Sequence, residues 1–551
     1  MKSYLKNLLL GSILLSALTV QAAAPKGTLY GRIYANPKAL NPLLRTSDYE
    51  KTLLEYVLAK LMFRDLQTNE YFPYLAEKIE SSKDLKSVTV TLRSNAVWED
   101  GSPITTADAE FTYDRLMDPK VQGAHIRSYF TGVRFIKIDE KKFKFEIENP
   151  TINTLPDLVA MFWIMQKKQY EGEADFNKAK AIQNPISSGP YRIKNFSRDQ
   201  KVELERVTNW WGDSIPQLKN FNRLQSVVFR IIPDAALAYE KFLKGEVDVT
   251  EISVEAYALK VLGLDREKVG NQPNSGKKIW ATQHKTQAPP IYNYLGLNLH
   301  RPYFRSKKTR QALAQLVDYD TIIDKMFYNL HERCYSPFGS KTKNAPTHAK
   351  ANAFQYQPKK AMALLKEDGW SDTDGDSIID KVIDGKKVNF EFTLRYNSEN
   401  QTRAKMSQMI KEQFKHAGIE VTVQAMEWTS YLTQIDSRDF DAFIMAWVNY
   451  NEHADAKQIW HSTSHANQGS NAVGYANPQV DEWIMQSRLE LNPSKRFKLM
   501  QKISAAIYDD QPYLFLSEIP GYISGYSQKV KGSPWSLRYS DTAPIWMYSV
   551  E

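Results

Sequence analysis

The segment Leu92–Pro119, LRSNAVWEDGSPITTADAEFTYDRLMDP, reads as a strand end, a tight turn, a cap and a helix. Val88–Arg93 alternates branched and polar residues with period two, the pattern of a half-buried strand. Asp100-Gly101 is a turn signal, because glycine accepts the left-handed backbone that tight turns use. Thr105 or Thr106 then offers a hydroxyl to the first free amides of a helix carrying Phe111, Tyr113 and Leu116. A strand and a helix joined so tightly belong to a mixed α/β layer.

Outward from this segment the alternation continues. Gly27–Ala35 predicts a first strand ended by Asn36-Pro37, and a helix after Asp48 puts Leu53, Leu54, Val57, Leu58 and Leu61 on one face. Phe135–Ile138, Phe143–Ile147, Val202–Arg206 and Val227–Ile231 predict strands, and Ala235–Leu243 a helix. Lys359–Glu367 and Thr402–His416 follow as helices, Val388–Tyr396 and Ile419–Val423 as strands. Phe440–Val448 is a short apolar run bounded by charge, which suits a buried strand. It delivers Trp447 and then turns polar at Asn449, Tyr450, Asn451 and Glu452. Open α/β sheets bind ligands at the carboxyl ends of their strands, so Trp447 is a candidate aromatic contact there. Trp428, between Ile419–Val423 and a further helix, is a second.

A chain of 551 residues is too long for one core, so two or three lobes are expected. Thirty Tyr and 12 Trp are enough to line a wide cleft as well as fill cores. Lys2 and Lys6, an apolar Leu8–Val20 and small residues at Ala22–Ala24 read as a secretory signal cleaved near that point. No cysteine stands there to carry a lipid anchor, so the expectation is a free exported protein. Cys334 is the sole cysteine and reads as a small buried hydrophobe. The net charge of +9 is scattered in pairs such as Lys307-Lys308, without the basic stripe of a nucleic-acid binder.

The Leu92–Pro119 segment resembles the signature of family 5 extracellular solute-binding proteins, the oligopeptide- and dipeptide-binding receptors of ABC importers. Further motifs follow in that family's order: Ser188–Ile193, Asn209–Gly212, Leu295–Asn298, Arg310–Leu313, Asn477–Asp481 and Gln511–Tyr513. The resemblance implies an α/β, bilobed periplasmic-binding-protein fold of the large three-lobe class II subtype, with mixed sheets and a two-strand hinge. Residues 1–24 would be the signal peptide. Lobe I would take 25–66, 187–288 and 511–551, lobe II would be an insertion over 67–186, and lobe III would run over 289–510. The crossings are expected near Gln287–Asn293 and Asp509–Pro512.

The same resemblance implies a periplasmic monomer that captures a peptide by hinge closure and hands it to membrane permease subunits. Other solutes in the same fold are an oligosaccharide, a chelated metal or haem; a secreted hydrolase is the rival from another class. Trp447 and Trp428 would line the cleft in lobe III with Asn449 and Tyr450. Tyr30 and Tyr34 from the first strand, with Tyr292 and Tyr294 near the crossing, would face them. Many relatives place an aspartate where Tyr450 stands, to pair with a peptide ammonium; Glu452 or Asp455 would have to replace it. No cofactor is expected. Asp372, Asp374, Asp376 and Asp380 have the alternate spacing of a structural calcium loop, or of a solvated acidic turn. Ser377 stands where such a loop prefers glycine. No Gly-x-Ser-x-Gly elbow, His-Glu-x-x-His or phosphate loop is present, so no enzyme is expected.

Overall fold

A computed structural model describes residues 27–531 and 549–550, leaving aside 46, 65–70, 85, 122–126, 149–153, 219–222, 265–267, 272–275, 286–290, 349, 351–352, 448–454, 467–468 and 491. The signal segment therefore lies outside the described residues. The chain opens with β1 (Thr28–Ile33) and α1 (Asp48–Val57), the latter started by Ser47 and Glu50 in a reciprocal capping box. It then builds an antiparallel sheet from β2 (Ala76–Ser81), β3 (Ser87–Leu92), β4 (Val133–Lys137) and β5 (Lys142–Ile147), in the order β2-β3-β5-β4. Between β3 and β4 runs α2 (Thr106–Met117), capped by Thr105. Next come β6 (Tyr191–Ser197), β7 (Lys201–Arg206) and β8 (Ser226–Ile231), which join β1 in the order β1-β8-β7-β6. These two sheets share one apolar core, with Leu29, Leu54, Val90, Phe145 and Val227 all buried in it.

After α3 (Ala235–Leu243), a third sheet holds β9 (Val249–Glu251), β10 (Val269–Gly270) and β11 (Ile279–Lys285). The chain then passes to β12 (Ile291–Leu297), the first strand of a five-stranded sheet. Helix α4 (Lys307–Leu316) and the strand β13 (Glu391–Asn397) follow, then α5 (Gln401–Lys415) and β14 (Glu420–Met426). Next are α6 (Trp428–Asp436), β15 (Ala442–Trp447), the single-turn α7 (Lys457–Trp460), α8 (Pro478–Leu489) and α9 (Pro493–Asp510). Strand β16 (Tyr513–Ile519) completes the sheet in the order β14-β13-β15-β12-β16, and β17 (Gly521–Ser527) returns to the third sheet beside β11. The five-stranded sheet is buried on both faces. Leu295, Leu297, Leu514 and Leu516 enter one core, while Tyr292, Tyr294, Tyr513 and Phe515 enter the other.

The chain thus changes sheets between β11 and β12 and again between β16 and β17. The second change falls at Pro520, not at Asp509–Pro512 as expected. Gln511 caps α9 in the left-handed region (φ 47°) and Pro512 stops that helix, so this proline marks a helix end. Residues 513–519, expected in lobe I, pair instead with β12.

The Ser188-Gly189-Pro190-Tyr191 motif has a physical reason. Ser188 and Gly189 donate their amides to the Val57 carbonyl at 3.0 and 2.8 Å, and the Ser188 carbonyl accepts both Trp210 and Trp211 indole N–H groups at 3.0 Å. The Glu99 amide, in the signature segment, donates to the carbonyl of Ser187, the residue just before this motif, at 2.8 Å. A Cβ on Gly189 would stand 2.4 Å from the Tyr56 carbonyl oxygen. Gly189→Ala should therefore destabilise the protein by about 3 kcal/mol, a core-strain effect. The midpoint of thermal unfolding reads it, and an unchanged midpoint would show that this backbone has room to shift.

Candidate functional site

Strands β13, β14 and β15 run parallel, and their carboxyl ends lie together. Trp447 is the last residue of β15. Its ring is partly buried and stands parallel to Tyr294 at 6.5 Å and 3°. Tyr294 stacks in turn on Tyr513 at 4.0 Å, and Tyr513 meets Trp460 at 4.7 Å. A column of buried rings therefore backs Trp447 from inside the sheet. Trp428 opens α6 just past β14 and is 41% exposed, a large apolar side chain offered to solvent. Its amide donates to Glu399 at 3.3 Å, and its ring leans on Tyr431, whose hydroxyl donates to the Ile444 carbonyl at 2.6 Å. Trp428 is held by its base and free at its face.

Arg403, in the first turn of α5, adds a charge that sequence reasoning missed. It donates to Asn397 at the end of β13 at 2.6 Å, and desolvation beside Tyr431 and Tyr294 lowers its pKa from the guanidinium norm. Nothing in the local sequence marks it, since an arginine early in an amphipathic helix usually points to water.

The other expected contacts divide. Tyr292 and Tyr294 are 0% and 1% exposed, because β12 is the fourth strand of five and both its faces are covered. They support the wall and do not form its face in this structure. Tyr30 and Tyr34 belong to the opposite body. Tyr30 lies under Arg230 at 5.2 Å, while Tyr34 is 38% exposed beneath Arg32 and bonds Glu251. Asn449, Tyr450 and Glu452 lie outside the described residues. Asp455, the other candidate replacement charge, accepts the Lys457 amide at 3.0 Å and pairs with Arg488 at 3.1 Å, so its oxygens are engaged in local structure.

The acidic loop separates three carboxylates from the fourth. Asp372, Asp374 and Asp376 are exposed with oxygens within 4.8 Å of one another. Asp380 is 3% exposed, accepts from Thr373 at 2.8 Å and meets Lys387 at 3.4 Å. Asp372 accepts the Gly375 and Ser377 amides and Asp374 pairs with Lys387, so the loop is closed by its own donors. Ser377 has φ 71°, the conformation that a calcium loop assigns to glycine. His461 and His465 each spend Nδ1 locally, on Thr463 and on the Asn471 carbonyl.

A buried acid lies on the same sheet. Glu518, at the end of β16, is 2% exposed and accepts the Ser340 amide at 2.6 Å together with the Ser340 hydroxyl. The Cys334 thiol, the Tyr292 and Tyr335 hydroxyls and Glu332 are among its titratable neighbours. Burial pushes its pKa up to about 7 from 4.5.

The parallel strand ends, the exposed tryptophan and the two sheet changes define an open α/β ligand-binding architecture. The chain belongs to the bacterial extracellular solute-binding proteins, family 5, whose middle-region pattern matches residues 70–469. It is 28% identical over 525 residues to the oligopeptide-binding protein AppA of Bacillus subtilis, spanning 91% of this chain and 89% of the relative. It is 25% identical over 554 residues to the dipeptide-binding protein of Escherichia coli, spanning 92% and 94%. The structure of the Bacillus subtilis AppA, solved with a nonapeptide, superimposes with a TM-score of 0.82 at 25% identity, over 96% of this chain and 99% of that one. Among the described residues no helix is long and apolar enough to cross a membrane.

The raised Glu518 pKa has a sign. The folded state holds this proton more tightly than the unfolded chain, so its contribution is full below pH 4.5 and lost as pH rises through about 7. The loss is roughly 3 kcal/mol. Glu518→Gln should therefore melt higher than the parent at pH 8.5, by more than any offset at pH 4.5. Equal offsets at both values would mean that folding leaves the pKa of this carboxyl unshifted.

Proposed function

We propose that this protein is the exported receptor of an ABC importer, capturing peptides between its two bodies by hinge closure and passing them intact to permease subunits. One observation carries the reading: Trp428 stands exposed and Trp447 partly buried at the carboxyl ends of parallel strands of one sheet, in a chain that matches peptide-binding relatives along about nine-tenths of its length. An aromatic wall buries ligand area without reading side-chain sequence, which suits peptides of varied composition. Asn449 and Tyr450, which come after Trp447 and Val448 in the chain, are further proposed contacts. Capture needs no bond-breaking group, and the receptor acts as a monomer in the periplasm.

Mass spectrometry of material that co-purifies with the protein tests the class of guest. Intact peptides are the expected result; a sugar, a metal chelate or cleaved fragments would overturn it. Within that reading, Trp428→Ala should weaken peptide binding ten- to a hundredfold in calorimetry while leaving the melting temperature nearly unchanged. Trp460→Ala, which removes a side chain 1% exposed, should instead lower the melting temperature. If Trp428→Ala binds peptide as tightly as the parent, the ring is no ligand contact.

A further inference from the structure

Among the described residues, the Gln283 side-chain amide donates to the Leu330 carbonyl across the bodies at 3.1 Å, and two side chain–side chain pairs also cross, which differ in kind. Lys405 meets Glu255 at 3.4 Å beside Val254, which packs into cores on both sides, so that pair sits at a standing junction. The second is the Tyr129 hydroxyl, which donates to the Gln458 carbonyl oxygen at 3.2 Å. Here each partner is built into its own body. Tyr129 lies in the turn Arg127–Phe130. Phe130 is fully buried in the first core, and the Arg127 guanidinium donates to the carbonyls of Leu116, Asp118 and Val121 at 2.7–2.8 Å. Gln458 lies on α7, whose Trp460 is anchored in the aromatic column. Its amide nitrogen donates to Ser470 at 3.0 Å. That bond fixes which end of the carboxamide faces Tyr129: the acceptor oxygen meets the phenolic donor.

We propose that Tyr129 and Gln458 form a latch across the two bodies, made on closure and broken before release, which sets how long a guest is held without touching it. The proposal rests on the capture-by-closure reading. A neutral, partly solvated hydrogen bond shifts a closed-to-open ratio by about two- to tenfold. That tunes residence time yet is too small to shut the protein without a guest. Tyr129 and Gln458 are positioning residues, and their variants leave the tryptophan wall intact.

Single-molecule energy transfer reads the latch with no ligand present. Dyes are placed by Ile138→Cys and Val382→Cys, 50% and 69% exposed in the parent, while buried Cys334 stays unlabelled. Tyr129→Phe and Gln458→Ala should each lower the closed fraction two- to tenfold, and the double variant no further. The second arm uses a fluorophore-bearing synthetic nonapeptide in stopped flow, where release should quicken by the same factor at an unchanged association rate. Melting temperatures of the variants should match the parent. An unchanged closed fraction, or effects that multiply in the double variant, would overturn the latch; a slower association would make Tyr129 a ligand contact. If the parent ignores the nonapeptide, the peptide reading fails while the closed-fraction result still decides the latch.

Discussion

The rest of the structure depends on one interrupted ribbon. Strands β11 and β17 pair antiparallel from Ile279↔Ser527 to Lys285↔Gly521, and β12 and β16 pair antiparallel from Ile291↔Ile519 onward. The same two lengths of chain therefore form a ladder in one sheet, break, and form a ladder again in another. At the break one strand contributes only Pro520, which has no amide proton and cannot donate to a ladder. The partner contributes residues 286–290. Any movement of one body against the other has to turn this ribbon between its two ladders, at Pro520 on one strand. Element ends of this kind are the usual place for a hinge to absorb backbone rotation.

Around that ribbon the sequence was legible where a local rule decides the outcome. Thr105 caps its helix because a hydroxyl beside free amides is favoured wherever the chain goes next. Phe440–Val448 contains the strand Ala442–Trp447 because a branched and aromatic run bounded by charge has few other uses. The family motifs were legible too, and the Gly189 contact with Tyr56 shows why one of them admits no side chain. Val388–Tyr396 was legible only in part: it divides into the end of the hairpin strand Lys386–Asn389 and the strand Glu391–Asn397.

What was not legible is position within a sheet. Ile291–Leu297 carries Tyr292 and Tyr294 on one face and leucines on the other, which reads equally well as an edge strand facing a ligand. Its pairing with β15 and β16 makes it an interior strand, and the cores packed on the two sides of the sheet bury both its faces. The same limit explains the two prolines. Pro512 and Pro520 look alike as breakers, yet one ends α9 and the other interrupts the ribbon, a difference made by the pairing of residues 513–519. Gln458 and Arg403 escaped notice because each derives its meaning from a partner distant in the chain or across a strand end.

Wall and ribbon are also mechanically joined. Tyr292 is the Cα partner of Trp447 on one side and of Glu518 on the other. Trp447, the buried tyrosine and the buried acid thus form one row across three adjacent strands, and Glu518 is separated from Pro520 only by Ile519. A close-packed interior transmits displacement because its side chains have nowhere to yield. On the proposed function, a guest pressing on Trp447 loads the row that ends at the ribbon's break. Closure gains only the difference between the guest's affinity for the two arrangements. A wall rigidly coupled to the turning point, with little energy lost in soft intervening contacts, lets more of that difference appear as closure.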